Sequence, residues 1–441
     1  MQSHARRIRR GATVVAAGTA FAIALSACAS SGGSPADSVD VSTEITTDPV
    51  TLTLSYTDDP PAQALIDGFT TKYPNVTIEA QQTPFTDYVK AIKLSMSSST
   101  PPDIAQYNPG AMRSLIPGGL VLDLAPWADA YGWDDKFPAS SLEVLTSDTD
   151  AKSFGEGGLY AAPGALSVLG VYYNQDLLEQ AGITEPPATL ADFEDQLGQL
   201  ADAGIQPLSV AGLEVGTIHV WGALLNVIGD PDAYRDWVFG RSGATIETPG
   251  ALEATNVLVD WIEQGYISES ANAVGYADAL ADFTSGNAAF HISGNWAASA
   301  IETEMGEAGG FFLLPGTEAD APAIASGASV AYSISSKSKN ANVAAAFLDY
   351  LSSPEAAAIQ VETGFMPVDV TADVSAEGLK GQISTDFANV LAGQGTLPFP
   401  DFATPAMLDT LIAGTQGLIS KRMTAEDYLA ELQNSWNEYH G

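Results

Sequence analysis

The reactive side chains of this 441-residue chain are few and scattered. Cys28 is the only cysteine, so neither an intramolecular disulfide nor a cysteine-built zinc cluster can form. The four histidines, His4, His219, His291 and His440, are nowhere paired at i, i+3 or i+4. That spacing is what sets two imidazoles on one helix face to hold a metal. A phosphate-cradling GxxxxGK(S/T) loop is missing, and so is a GxGxxG turn after a strand. The nearest stretch to a GxSxG nucleophile elbow, Gly327-Ala328-Ser329-Val330-Ala331, lacks the second glycine. Carboxylate pairs abound, but 54 acidic residues produce them by number alone and say nothing of glycosidase chemistry. The case for an enzyme therefore has no positive signal, and no cofactor or metal is expected.

Cys28 takes its meaning from its flanks. Four arginines fall within residues 5 to 10, followed by an uncharged, mostly apolar run from Gly11 to Ala27. The run is short for a permanent membrane span and has the charge layout of a secretory signal. Leu25-Ser26-Ala27-Cys28 looks like a bacterial lipobox, whose cysteine is acylated and becomes the new N-terminus. Arg6-Arg7 also begins a twin-arginine pattern, which the following residues fit poorly. The expectation is a signal peptide over residues 1 to 27 and a protein held at the outer face of the cell membrane by lipid on Cys28. Residues 28 to 49 are small, polar and broken by proline and glycine, as in a flexible tether.

Beyond the tether the chain is long enough for two domains, and no other run approaches membrane-spanning length. Its formal charge is −37, more negative still once the signal arginines leave. Such a surface repels phosphate backbones, so nucleic acid is a poor partner. Ordered structure is expected from Val50. VTLTLSY (50–56) alternates like a strand, Ala64 to Tyr73 reads as a helix, and NVTIEA (75–80) reads as the next strand. That β-α-β start implies an α/β fold with parallel strands. Further along, Thr189 can cap a helix carrying Phe193, Leu197 and Leu200 on one face. Ala344, Phe347, Leu348 and Leu351 form another stripe, and Ser353-Pro354 reads as a cap with proline at the first helical position. LGVYYN (169–174) and AAFHISG (288–294) read as short strands.

Five stretches in order resemble a known family. Pro102-Asp103-Ile104 is the first. GGLVLDLAPW (118–127) is the second. The most specific is GLYAAPGALSVLGVYYNQDLLEQAGITEPPATLADFEDQLGQLADAGIQPL (158–208), although Ala161 stands where the family usually has glycine. FTSGNAAFHISGNWAAS (283–299) and ASVAYSISSKSKNANVAAAFLDYLSSPEAAAIQVETGFMPV (328–368) complete the set. Together they resemble the extracellular solute-binding proteins of bacterial ABC importers, in the sugar-binding group with maltose- and raffinose-type receptors. The resemblance implies a two-lobe clamshell, each lobe a mostly parallel sheet flanked by helices, with three hinge crossings. Alignment puts the crossings near Ala165-Leu166, Ser329-Val330 and Met366-Pro367. One lobe would then be residues 50–165 with 330–366, and the other 166–329 with 367–441. A membrane permease would read the closed form of a monomeric receptor.

A sugar offers apolar CH faces and many hydroxyls, so its site needs flat aromatic platforms with uncharged polar or carboxylate partners. In open α/β sheets such sites lie on loops at the C-terminal ends of strands. Tyr56, Asp58 and Asp59 follow the first strand, though the two aspartates could instead cap the next helix. Tyr107 and Asn108 follow Ile104-Ala105-Gln106. Ser167 and Ser329 sit at crossings. The resemblance places His219 and Trp221 among second-lobe aromatics and makes Trp296, after Gly294-Asn295, a stacking tryptophan, with Asn295 beside it a further ligand contact. Phe399 and Phe402 lie on a proline-rich loop, and one of Tyr172 and Tyr173 should be buried by alternation. Only Arg113 brings a cation near these loops. A neutral mono- or oligosaccharide fits them better than a phosphate, sulfonate or acidic sugar. A secreted carbohydrate-active enzyme and a polyamine or peptide receptor are the alternatives.

Overall fold

The computed structural model describes residues 40–57, 61–369, 371–372 and 374–441. Cys28, the signal segment and the first part of the tether lie outside the described residues, as do Asp58 and Asp59. Residues 41–441 form one compact unit. Its chain is taken up earlier than the composition of the tether implies. Val41 and Ile45 pack on the core, the Ser42 amide donates to Asn342 Oδ1, and Asn75 Nδ2 donates to the carbonyls of Thr46 and Asp48. Two apolar residues among the polar ones suffice to dock this stretch.

Strand β1 (Val50–Tyr56) buries Leu52, Leu54 and Tyr56 on one face, as its period-two pattern requires. The helix Ala62–Lys72 follows, with Leu65, Ile66 and Phe69 inward, and leads into β2 (Val76–Gln82), parallel to β1. β3 (Ile104–Tyr107) pairs parallel on the other edge of β1. A separate ribbon comprises β4 (Thr146–Ser147) and β5 (Gly158–Leu159). The long β6 (Ala162–Asn174) is buried almost throughout. β7 (Gln206–Leu208) pairs parallel with β8 (Ala288–Gly294), and β8 pairs antiparallel with the second half of β6. β9 (Gly309–Phe312) also runs antiparallel to β6. β10 (Ala325–Ile334) lies between β3 and β6, antiparallel to both, and β11 (Thr396–Leu397) pairs with its start. The resulting order is β2-β1-β3-β10-β6-β8-β7, a two-lobed α/β arrangement with helices packed on both halves.

The helix ends follow their sequence signals. Thr189 and Asp192 form a reciprocal capping box on the helix Leu190–Asp202. Ser353 accepts from the Ala356 amide with Pro354 at the first helical position. Tyr172 is buried with its hydroxyl donating to Gly294 O, while Tyr173 is partly exposed.

The two halves meet on β6 and β10. Ser329 pairs with Leu166 and Val330 with Ala165, and a bulge follows between Val330 and Ala331. Leu166 also bridges Met366, their amides and carbonyls exchanging bonds of 2.9 and 3.1 Å. Three chain segments therefore lie side by side at one residue. Asn295 fastens them: its Oδ1 accepts from the Val168 amide at 3.1 Å, and its Nδ2 donates to Gly364 O at 2.9 Å and Leu166 O at 3.3 Å. The side chain is fully buried. Asn295→Ala removes all three bonds and leaves the Val168 amide and the Gly364 carbonyl without this partner away from water, and should cost about 1–3 kcal/mol. Urea unfolding checks it; an unchanged midpoint would contradict the fastening role.

Candidate ligand-binding cleft

A cavity of about 470 Å³ opens beside the β6–β10 pair. Its floor is the crossing strands themselves, with Ser167, Leu169, Ala328 and Ser329. One wall is the turn after β3, with Tyr107, Asn108 and Pro109, together with Phe85 and Thr86 at the start of the helix Phe85–Ser97. The helix Gly216–Ile228 lines it further, and the loop carrying Phe399, Asp401 and Phe402 adjoins the turn after β3. Trp296 stands between them, its ring 5.4 Å from His219 and 6.2 Å from Phe399.

Local sequence sets these positions. Asn108 caps a short turn of helix, its Oδ1 accepting from the Ala111 amide at 3.0 Å. Its Nδ2 is thereby turned outward and donates to Asp401 Oδ2 at 3.1 Å. Trp296 folds back over Gly294, where an added Cβ would lie 2.0 Å from the indole. A glycine at 294 is therefore needed for the ring to take this position. Ser167 Oγ donates to Ala328 O at 2.9 Å across the crossing strands.

The cavity is uncharged apart from carboxylates. Among the described residues lining it, none is lysine or arginine, whereas Glu214, Asp278 and Asp401 are present. Arg113 is buried beneath the wall, not in it. Its guanidinium donates to the carbonyls of Phe402, Ala151 and Val238 at 2.9, 2.6 and 2.9 Å and stacks 3.7 Å from the Phe154 centroid. Burial lowers its pKa to about 10, still a cation at neutral pH. Three lining residues each carry a polar atom that is itself buried and has no partner: Tyr107 Oη, His219 Nδ1 and Ser329 Oγ. Burial pushes the Tyr107 hydroxyl up and holds it neutral. Burial, then the nearby His291, pulls His219 down to about 3, so it presents a neutral imidazole. Asp401 is pushed up to about 6 by burial, with the Asn108 amide working the other way.

Of the residues singled out from sequence, Tyr107, Asn108, Ser167, His219, Trp296, Ser329 and Phe402 come together around this cavity, and Phe399 with them. Three do not. Tyr56 is buried at the end of β1, and its carbonyl accepts from the Thr83 amide. Trp221 is fully buried, its Nε1 donating to Thr255 Oγ1 at 2.9 Å and its ring edge-on to Tyr428. The helix explains this: Val215, Ile218, His219 and Gly222 form the cavity-facing stripe at i, i+3, i+4 and i+7, and Trp221 falls outside it. Asn295 braces the crossings as described. Sequence reasoning missed Phe85, Glu214, Tyr276 and Asp401. Phe85 follows β2 as Tyr107 follows β3, and the same strand-end rule would have found it. Tyr276 opens the helix Tyr276–Thr284, with its hydroxyl 3.0 Å from Ser293 Oγ. No sequence pattern marks it.

Comparison with known proteins decides the family. The family model described as bacterial extracellular solute-binding protein matches residues 55–358. The chain belongs to that family. The maltodextrin-binding protein MdxE of Bacillus subtilis is 24% identical over 392 residues, covering 86% of this chain and 85% of that protein. Among solved structures, a chitin oligosaccharide binding protein matches with a TM-score of 0.74 at 24% identity, covering 89% of this chain and 99% of its own. A maltose-bound protein of T. maritima matches at 0.70 and 19%, covering 88% and 99%. As a member of a family of binding proteins, this chain is a solute-binding protein and not an enzyme.

The buried histidines make stability depend on pH. His219 and His291 are held down to about 3 and about 4, each chiefly by burial. Above the free imidazole value near 6.5 they have no effect. Below it the unfolded chain takes protons that the folded one refuses, so stability falls as pH drops from about 6.5 toward 4. Asp401 and Asp386, both raised to about 6 by burial, act with the opposite sign in part of that window. The difference between proteins is therefore the readout. His291→Gln should lose less in melting temperature than the wild type between pH 7 and 4.5; parallel curves would contradict this.

Proposed function

We propose that this solute-binding protein captures a neutral mono- or oligosaccharide between its lobes and delivers it to the permease of an ABC importer. One observation carries the reading. Trp296, Tyr107, Phe399 and Phe402 surround the cavity while its described lining holds no cation. Aromatic faces suit the CH surfaces of a sugar ring, and the lining Asn108, Glu214, Asp278 and Asp401 side chains suit its hydroxyls. The lobes are taken as residues 50–165 with 330–366, and 166–329 with 367–441. A solute touching both favours their closed form, because only that form offers every contact. The lipobox-like stretch supports anchoring through acylated Cys28 at the outer face of the cell membrane, with a monomeric body tethered near its permease.

The three carboxylates favour a second reading, an amine-bearing ligand such as a polyamine. Tryptophan fluorescence and calorimetry with maltose, raffinose, diacetylchitobiose and spermidine separate the two. A saccharide should bind and be recovered intact. Trp296→Ala should weaken it about tenfold or more, a loss of at least about 1.4 kcal/mol. Undiminished binding by the folded variant would remove the stacking role, and binding of spermidine alone would favour the second reading. Cys28→Ser should leave solute binding intact and release the protein from the membrane fraction. Loss of binding in that variant would contradict the tether.

A further inference from the structure

The turn after β3 grips the loop after β11 at three adjoining points. Asn108 Nδ2 donates to Asp401 Oδ2 at 3.1 Å, and Arg113 Nε donates to Phe402 O at 2.9 Å. Between them, Gly110 abuts the backbone of Asp401 so closely that an added Cβ would lie 2.2 Å from its carbonyl oxygen. The two partners belong to different halves of the sheet. β3 pairs with β1, whereas β11 pairs with the start of β10, beside the part of β6 that leads to β8. Asp401 and Asn108 both line the cavity.

We propose that Asp401 reads a donor hydroxyl of the bound saccharide, and that its bond to Asn108 couples this recognition to the approach of the two lobes. This rests on the saccharide reading given above. A carboxylate has acceptor capacity for about four donors, so a solute hydroxyl can join the Asn108 amide on it. Arg113, on the adjoining turn, spends its donors on carbonyls and gives Asp401 no ion pair. The helix Pro231–Phe239 packs on the loop and brings Tyr234, whose hydroxyl donates to Pro398 O, and Arg235, paired with Glu143. The helix Met407–Ile419 brings only Asp409, which is exposed, and His440 of the last helix lies with Nε2 2.9 Å from Ala403 O, held down to about 4 chiefly by burial. Also lining the cavity are Glu214, Asp278, Tyr107, Tyr276 and the neutral His219. None of these is bonded to the Asp401 carboxylate. A solute hydroxyl donating to it stabilises the ionised form, and binding therefore expels the proton that burial otherwise favours.

The test is affinity against pH for the tightest of maltose, raffinose and diacetylchitobiose, in the wild type, Asp401→Asn and Asn108→Ala. Wild-type Kd should be flat above pH 7 and rise by up to about tenfold per unit below pH 6. Calorimetry near pH 6 in buffers of different ionisation enthalpy should record proton release. Asp401→Asn should bind more weakly at pH 7, with a flat profile and no proton release. Asn108→Ala should move the wild-type midpoint upward, because the amide no longer stabilises the carboxylate. A flat wild-type profile, or an Asp401→Asn profile with the wild-type slope, would overturn the proposal while leaving saccharide binding in place. If no saccharide binds the wild type, the reading beneath it fails. Carbon-13 titration of the Asp401 carboxyl in the ligand-free protein then still bears on the proposal: a midpoint near 4, unmoved in Asn108→Ala, would also overturn it.

Discussion

The antiparallel pairing of β6 with β10 is the constraint on which everything else depends. Both strands serve the two halves of the sheet at once, β10 reaching β3 at one end and β11 at the other, β6 reaching β8 and β9 in its second half. Their backbone bonds must all be kept, because these strands are buried and an unpaired amide there is costly. The two halves can therefore move relative to one another only by flexing around that seam. Leu166 is its centre, paired to Ser329 on one side and bridged to Met366 on the other. Asn295 ties the same point to the segment holding Gly364. The cavity lies on this seam, so a solute held there senses both halves.

The cleft separates shape from charge. Aromatic rings supply the walls, and the cation that could have filled the site with an anion is kept below them. Arg113 is satisfied by three carbonyls and an aromatic face, which fixes the Phe402 loop against the turn after β3. The same burial that keeps His219 neutral leaves its Nδ1 without a partner. The site thus faces its solute with neutral donors and acceptors and a few carboxylates, in a chain whose outer surface is strongly acidic.

Much of this was legible in the sequence, and the failures have physical causes. β1 and β8 fall on the residues read as strands, and the helix caps at Thr189 and Ser353 form as written. These are local signals, decided by neighbours in the chain. Trp221 was misplaced although its helix carried the answer: two residues from His219 is about 200° around the axis, so both cannot face one cavity. Asn295 looked like a ligand contact because it precedes Trp296, but three backbone partners far away in sequence claim it. Asp401 went unnoticed since its partner Asn108 lies 293 residues away, and no local pattern announces such a pair.

The central claim, closure of two lobes around a saccharide, can be measured directly by labelling. Cys28 is the only cysteine and precedes the body, so a chain lacking it accepts labels at chosen sites. Leu94, 77% exposed on the helix that begins at Phe85, and Leu213, 51% exposed before Glu214, belong to the two different lobes proposed above. Spin labels on Leu94→Cys and Leu213→Cys report the distance between them by pulsed electron paramagnetic resonance. Saturating the protein with a saccharide that binds should shorten and narrow that distance distribution. A distribution unchanged at saturation would contradict the account.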